Sequence, residues 1–185
     1  MNTLARNRRL GLGLAVLTAL LDQASKAWVL GPLQLPAVHL MRPVVDAATP
    51  DIPLLPIFGF TFTQNFGVSL GLLTAGSEGQ RWALVALTGA IALMVAIWAW
   101  RERQLGDIAA LGLVLGGALG NIADRVTRGY VVDFLDLHFG SYRPFLIFNL
   151  ADAAITLGVL IVLARSFLSR DKRPNPAGGE LTQDA

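Results

Sequence analysis

Two carboxylates in apolar surroundings hold the clearest chemical potential in this 185-residue chain. Asp133 lies in Tyr130-Val131-Val132-Asp133-Phe134-Leu135, and Asp152 in Phe148-Asn149-Leu150-Ala151-Asp152-Ala153. Neither has a Lys or Arg within four positions. If the fold brings them together in a poorly solvated site, both cannot easily ionise, so one pKa rises and the pair shares a proton. One carboxylate then takes a proton from water while the other, protonated, polarises a carbonyl, which is aspartic-protease chemistry. Proton transfer is the other use of such a pair. Taken singly, each has a plainer reading: Asp133 as a turn or strand-end residue, Asp152 as a helix N-terminal acid favoured by the macrodipole. Asp136, three residues after Asp133, reads as a solvated acid.

Other polar residues sit in apolar runs, where ionisable groups are costly and mark function by default. Asp22 and Lys26 share a helical face four residues apart. A snorkelling structural ion pair and a direct role are equally open for them. Asn121, Asp124 and Arg125 fall on one face, and a bridged Asp124–Arg125 network is the favoured reading because an acid beside a guanidinium is normally held ionised. Asn149 lies one turn before Asp152. There is no cysteine, and the two histidines, His39 and His138, lack metal-ligand spacing, so no metal and no cofactor is expected.

The elements that must position these groups are membrane helices. The chain is 54% hydrophobic and 15% charged, with mean hydropathy +0.54, which places it in a membrane class. A pI near 9.5 does not point to nucleic acid, because the basic residues cluster at the ends of apolar runs. Four spans are expected, at about 10–30, 82–100, 108–123 and 145–164, each close to the length a hydrocarbon core of ~30 Å requires. Trp82, Trp98 and Trp100 suit interfacial belts. Gly112, Gly116 and Gly120 form overlapping small-residue spacings suited to close helix packing.

Nine basic residues flank one side (Arg6, Arg8, Arg9, Arg101, Arg103, Arg165, Arg170, Lys172, Arg173) and five the other (Arg42, Arg81, Arg125, Arg128, Arg143). That bias puts both termini in the cytoplasm and residues 31–81 and 124–144 outside. A cleaved signal peptide is the rival for the N-terminus, but Asp22 and Lys26 follow its apolar run and no small-residue cleavage site does, so a retained span is preferred. Phe58, Phe60 and Phe62 alternate with Gly59, Thr61 and Thr63, predicting a strand over 57–63. Residues 64–73 suit a short interfacial helix. The prolines of 36–53 predict an irregular loop, and the Pro- and Gly-rich end predicts a disordered tail over 171–185 after a single domain of 1–170.

Together the motifs Asp22-Gln-Ala-Ser-Lys26, Asn65-Phe-Gly67, Gly120-Asn121-Ile-Ala-Asp124-Arg125, Val131-Val-Asp133-Phe134 and Phe148-Asn149-Leu-Ala-Asp152 resemble the bacterial lipoprotein signal peptidase family, signal peptidase II. The resemblance runs from about residue 10 to 165. It implies an all-α membrane protein of four transmembrane helices with a small periplasmic β-cradle and a short interfacial helix. It implies an intramembrane aspartyl endopeptidase that removes the signal peptide of diacylglyceryl-modified prolipoproteins, cutting before the lipidated cysteine. The family's catalytic pair falls on Asp133 and Asp152, with Asp22, Lys26, Asn65, Asn121, Asp124, Arg125 and Asn149 around it. The implied partners are the prolipoprotein substrate and membrane lipid, with no nucleic acid and no obligate protein partner, the chain acting as a monomer in the bacterial inner membrane. Ser69-Leu70 and Ala153 depart from the family pattern, and the loop over 39–51 is longer than usual. A proton-coupled transporter using the same aspartates, or a non-catalytic scaffold packed by the glycine motifs, remain the readings from other classes.

Overall fold

The computed structural model describes residues 3–41, 49–67 and 77–170. In chain order the elements are α1 (Thr3–Leu30), α2 (Leu35–Met41), β1 (Ile52–Leu55), β2 (Phe58–Asn65), α3 (Glu78–Arg101), α4 (Leu105–Arg128), β3 (Val131–Leu137) and α5 (Leu150–Arg170). Three helices, α3, α4 and α5, are long and apolar enough to cross a membrane. Helix α1 is longer, at 28 residues, but Asp22, Gln23, Ser25 and Lys26 make its last third polar.

Helix α4 is the centre of the bundle and packs against α1, α3 and α5. Its glycines allow this. A Cβ on Gly112 would lie 2.6 Å from the Gly11 carbonyl oxygen of α1, and one on Gly117 would lie 2.8 Å from Ile155 Cγ1 of α5. Small residues therefore let the backbones meet, as the spacing anticipates. Helix α3 buries little, only Gln80 and Ala92 among its residues, and so presents an almost wholly apolar surface outward. Ser77 caps it by accepting the Gln80 N–H. Helix α4 ends at Gly129, whose φ of 86° is left-handed and whose N–H bonds back to the Arg125 carbonyl.

The strands form one antiparallel sheet in the order β1-β2-β3. Thr63 faces Asp133 and Asn65 faces Val131 across β2 and β3, after an irregularity between Phe60 and Thr63. The strand expected over 57–63 is thus present, and its aromatic side rests on protein. Phe60 and Phe62 pack on a core of Val29, Leu35, Val132 and Phe134. Trp28 meets the Phe60 ring edge-on at 6.0 Å.

Two expectations are corrected. The loop expected over 36–53 begins as helix α2. Pro36 lies in its first turn, where a missing N–H costs nothing, and Leu35 anchors it in the core. The span expected from 145 starts instead at Leu150. Residues 145–149 are not helical, and Phe148 is bridged to Leu135 of β3. The expected interfacial helix over 64–73 falls partly on β2, and its remainder from residue 68 lies outside the described residues, as does the tail over 171–185.

Candidate active site

The strand β3 and the first turn of α5 bring Asp133 and Asp152 to one place, at the end of the bundle covered by the sheet. Asn149 joins them. Its Nδ2 donates to Asp133 Oδ1 at 2.6 Å, and its backbone N–H donates to Asp152 Oδ2 at 3.1 Å. In return, Asn149 Oδ1 accepts the Asp152 N–H at 3.0 Å. This is a reciprocal capping box: the residue before the helix and the third residue within it satisfy each other's backbone donors. Local helix-start chemistry therefore fixes the second carboxylate relative to the first. Each remaining oxygen also has a donor, Asn65 Nδ2 on Asp133 Oδ2 at 2.9 Å and Asn121 Nδ2 on Asp152 Oδ1 at 2.8 Å.

Asp133 lies within the strand rather than at its end, and is 1% exposed. Burial raises its pKa to about 6, and the Asp152 charge adds to the rise, while the Asn65 and Asn149 amides and the Lys26 charge offset part of it. Asp152 is half-buried. The two carboxylates thus differ in setting, one sealed in a strand and one at a helix N-terminus.

Behind the pair is a fully buried charge cluster. Lys26 Nζ lies 2.8 Å from Asp22 Oδ2 and 2.9 Å from Asp124 Oδ2, and it donates to Asn121 Oδ1 at 3.1 Å. Lys26 does not snorkel. Its side chain is 0% exposed, as are those of Asp22 and Asp124. The cluster ties elements together: Asp22 Oδ1 accepts the Ala151 N–H of α5 at 3.0 Å, and Asp124 Oδ2 accepts the Val132 N–H of β3 at 3.0 Å. Two acids and one cation thus hold α1, α4, β3 and α5 in register, and the chain Lys26–Asn121–Asp152 links this frame to the carboxylate pair.

Arg125 is corrected as the partner of Asp124. The ion pairs of Asp124 are with Lys26 and with Arg128, one turn further along α4. Side chains adjacent in a helix point about 100° apart, whereas i,i+4 positions meet. Arg125 instead reaches the Asn121 carbonyl at 3.5 Å, and its charge acts on Asp152, Asp133 and Asp124. Its Nε is buried with no hydrogen-bond partner among the described residues. Asp136 is also corrected. It is 1% exposed, accepts two bonds from Arg143, at 2.9 and 3.0 Å, and accepts the Thr61 hydroxyl at 2.7 Å. Burial works to raise its pKa, but the Arg143 and Thr61 hydrogen bonds and the Arg143 charge prevail and hold it below the usual value.

The structure brings together every site residue expected from sequence: Asp22, Lys26, Asn65, Asn121, Asp124, Arg125, Asp133, Asn149 and Asp152. Sequence reading missed Gln23, which donates to Asp124 Oδ1 at 2.9 Å and to the Gly120 carbonyl at 3.1 Å. It also missed Arg128 as the ion partner of Asp124, although the i,i+4 spacing signalled it.

Fold and site define a class, a membrane enzyme of apolar helices with a small antiparallel sheet set against one end. A family model described as signal peptidase (SPase) II matches residues 14–168. The lipoprotein signal peptidase of Rhizorhabdus wittichii is 49% identical over 167 residues, covering 90% of this chain and 91% of that one. That of Sphingopyxis alaskensis is 48% identical, covering 89% and 88%, and that of Acinetobacter baumannii strain ATCC 17978 is 36% identical, covering 88% and 86%. A bacterial membrane enzyme solved by the in meso method superposes with a TM-score of 0.66 at 25% identity, covering 93% of this chain and 94% of that one. The chain belongs to the signal peptidase II family. Its activity is that of an aspartic endopeptidase cleaving the signal peptides of prolipoproteins.

Proposed function

We propose that Asp133 and Asp152 are the catalytic pair of this peptidase and that they act on one water molecule held between them. The supporting observation is the double contact of Asn149, side chain to one carboxylate and backbone to the other. In this scheme Asp133, the buried member, whose pKa burial raises to about 6, is the proton donor. Asp152 takes a proton from water as the oxygen attacks the carbonyl preceding the lipidated cysteine, and Asp133 gives its proton to that carbonyl oxygen. When the tetrahedral intermediate collapses, the C–N bond breaks and Asp152 returns its proton to the departing cysteine amine, while Asp133 recovers its own from the hydroxyl. Asn65, exposed beside Asp133, and Arg125, whose charge acts on both carboxylates of the pair, are placed to hold substrate backbone or a polar group. Asp22, Lys26, Asn121, Asp124 and Asn149 act by holding the pair in position.

The substrate is a diacylglyceryl-modified prolipoprotein that enters from the membrane. A crevice of about 260 Å³ between α1, α4 and α5, lined by residues such as Leu21, Leu113, Leu150, Ala153 and Leu157, suits one of its acyl chains. Helix α1 is the first of four crossings, its polar third turned onto the protein through Asp22 and Lys26. Both termini are cytoplasmic, the pair opens at the periplasmic face of the inner membrane, and residues 1–170 act as one domain and as a monomer. The count of basic residues supports this orientation. The test is a fluorogenic peptide carrying the cleavage sequence, with and without a diacylglyceryl group on its cysteine, presented to detergent-purified protein. Cleavage of the lipidated peptide far faster than of the bare one is expected. Equal rates would remove the lipid from recognition, and no cleavage of either would favour a transport role for the aspartates.

A further inference from the structure

A second crevice lies at the end of the bundle away from the aspartates, between α1, α3 and α4. Its volume is about 340 Å³, within the range of ligand sites, ~300–1,000 Å³. Its walls are apolar, including Leu12, Ala96, Ala99, Ile108 and Leu115, and the charged side chains on it are Arg8 and Arg9. The Arg8 guanidinium is fixed at the rim. It lies 4.4 Å above the Trp100 ring, and its Nη2 donates to the Trp100 carbonyl at 2.5 Å. Its Nε is buried and has no hydrogen-bond partner among the described residues.

No carboxylate pairs with Arg8 among the described residues. The neighbouring acids are engaged elsewhere. Glu102 accepts the Arg103 and Gln104 N–H groups at 2.7 and 3.1 Å, and Asp107 is ion-paired with Arg165 at 2.7 Å. Arg8 as a whole is only half-buried, and a guanidinium held in place without a carboxylate gains most from an anionic oxygen at its accessible nitrogens. The crevice next to it accepts a hydrocarbon chain. A ligand meeting both demands has an anionic head and an apolar tail, and basic pockets between membrane helices take phospholipid head groups for the same reason.

We propose that this crevice binds one anionic phospholipid of the bilayer, with an acyl chain between α1, α3 and α4 and its phosphodiester on Arg8. The site is separate from the carboxylate pair and does not depend on how the substrate is held there. Trp100 acts as the staple that orients the guanidinium before the lipid arrives.

The experiment is native mass spectrometry of the full-length protein, after equilibration in mixed micelles of equal amounts of phosphatidylglycerol and phosphatidylcholine. The wild type is expected to retain one phosphatidylglycerol, with a preference over phosphatidylcholine of about tenfold, the size of one charge-assisted contact. Arg8→Gln is expected to abolish the preference. Ala99→Phe, which fills the crevice and leaves the charge, is expected to lower retention of both lipids. Peptidase activity in phosphatidylcholine micelles checks that each variant is folded. If Arg8→Gln keeps the preference, Arg8 does not read the head group and the proposal falls. If Ala99→Phe retains phosphatidylglycerol as the wild type does, the chain does not enter the crevice and the proposal falls. If inorganic phosphate displaces the lipid equally from the wild type and Ala99→Phe, the feature is an anion site with no lipid specificity. Should Arg8→Gln fail to fold, the Ala99→Phe arm decides.

Discussion

Asn149 has two separable duties, and substituting it tests both. Its Oδ1 caps α5 through the Asp152 N–H at 3.0 Å, and its Nδ2 holds Asp133 Oδ1 at 2.6 Å. Loss of an N-cap costs about 1 kcal/mol. Leaving the buried Asp133 oxygen without its donor costs ~1.5–3 kcal/mol. Asn149→Ala removes both, so its destabilisation should be the sum, about 2.5–4 kcal/mol. Asn149→Ser restores a capping oxygen but has no amide to reach Asp133, so it should lose only ~1.5–3 kcal/mol. The gap between the variants, about 1 kcal/mol, measures the cap. Cleavage should fall in both by roughly 10–150-fold, which is ~1.5–3 kcal/mol of transition-state stabilisation, because in both Asp133 is no longer tied to the start of α5. The assays are thermal or denaturant unfolding in detergent, and cleavage of a diacylglyceryl peptide. If Asn149→Ser cleaves at the wild-type rate, the amide does not orient the pair. If Ser and Ala are equally unstable, the capping box is not what starts α5.

The free enzyme's kcat/KM should fall on the alkaline side as Asp133 loses its proton, beginning near pH 6. The Asn65 amide favours the ionised form, so Asn65→Ala should move that limb to higher pH, and a move to lower pH would contradict the assignment of the proton. Lys26→Met leaves Asp22 and Asp124 buried without their shared cation and should cost about 3–5 kcal/mol, read as loss of folded protein at pH 7. Gly112→Ala places a Cβ 2.6 Å from the Gly11 carbonyl and should destabilise by ~1–3 kcal/mol. Gly13→Ala meets nothing within 4 Å and should be neutral or stabilising by up to about 1 kcal/mol, with thermal midpoints separating the two.

What was legible in the sequence was local or periodic. The alternation of Phe58, Phe60 and Phe62 marked β2, and glycines at spacing four marked the face of α4 that meets α1. Apolar neighbours singled out Asp133 and Asp152, though their named roles came from motif resemblance, because the partners that set their chemistry are distant: Asn65 is 68 residues from Asp133 and Asn121 is 31 from Asp152. The misreadings have the same origin. Asp136 sits in a local sequence like that of Asp133 and reads as solvated, but Thr61, 75 residues away, and Arg143 bury and pair it. Lys26 reads as able to snorkel until Asp124, on another helix, closes over it. The prolines of 36–53 argued against helix, yet Pro36 in the first turn of α2 costs no hydrogen bond.

The most direct test is cleavage by Asp133→Asn and Asp152→Asn, measured separately on a diacylglyceryl prolipoprotein with folding checked by circular dichroism. Asparagine keeps the shape and the hydrogen-bonding capacity of each site but can neither hold the shared proton nor take one from water. Each variant should remain folded and lose at least about 10²–10⁴-fold in rate. A folded variant of either kind that cleaves at the wild-type rate would contradict the assignment of the pair.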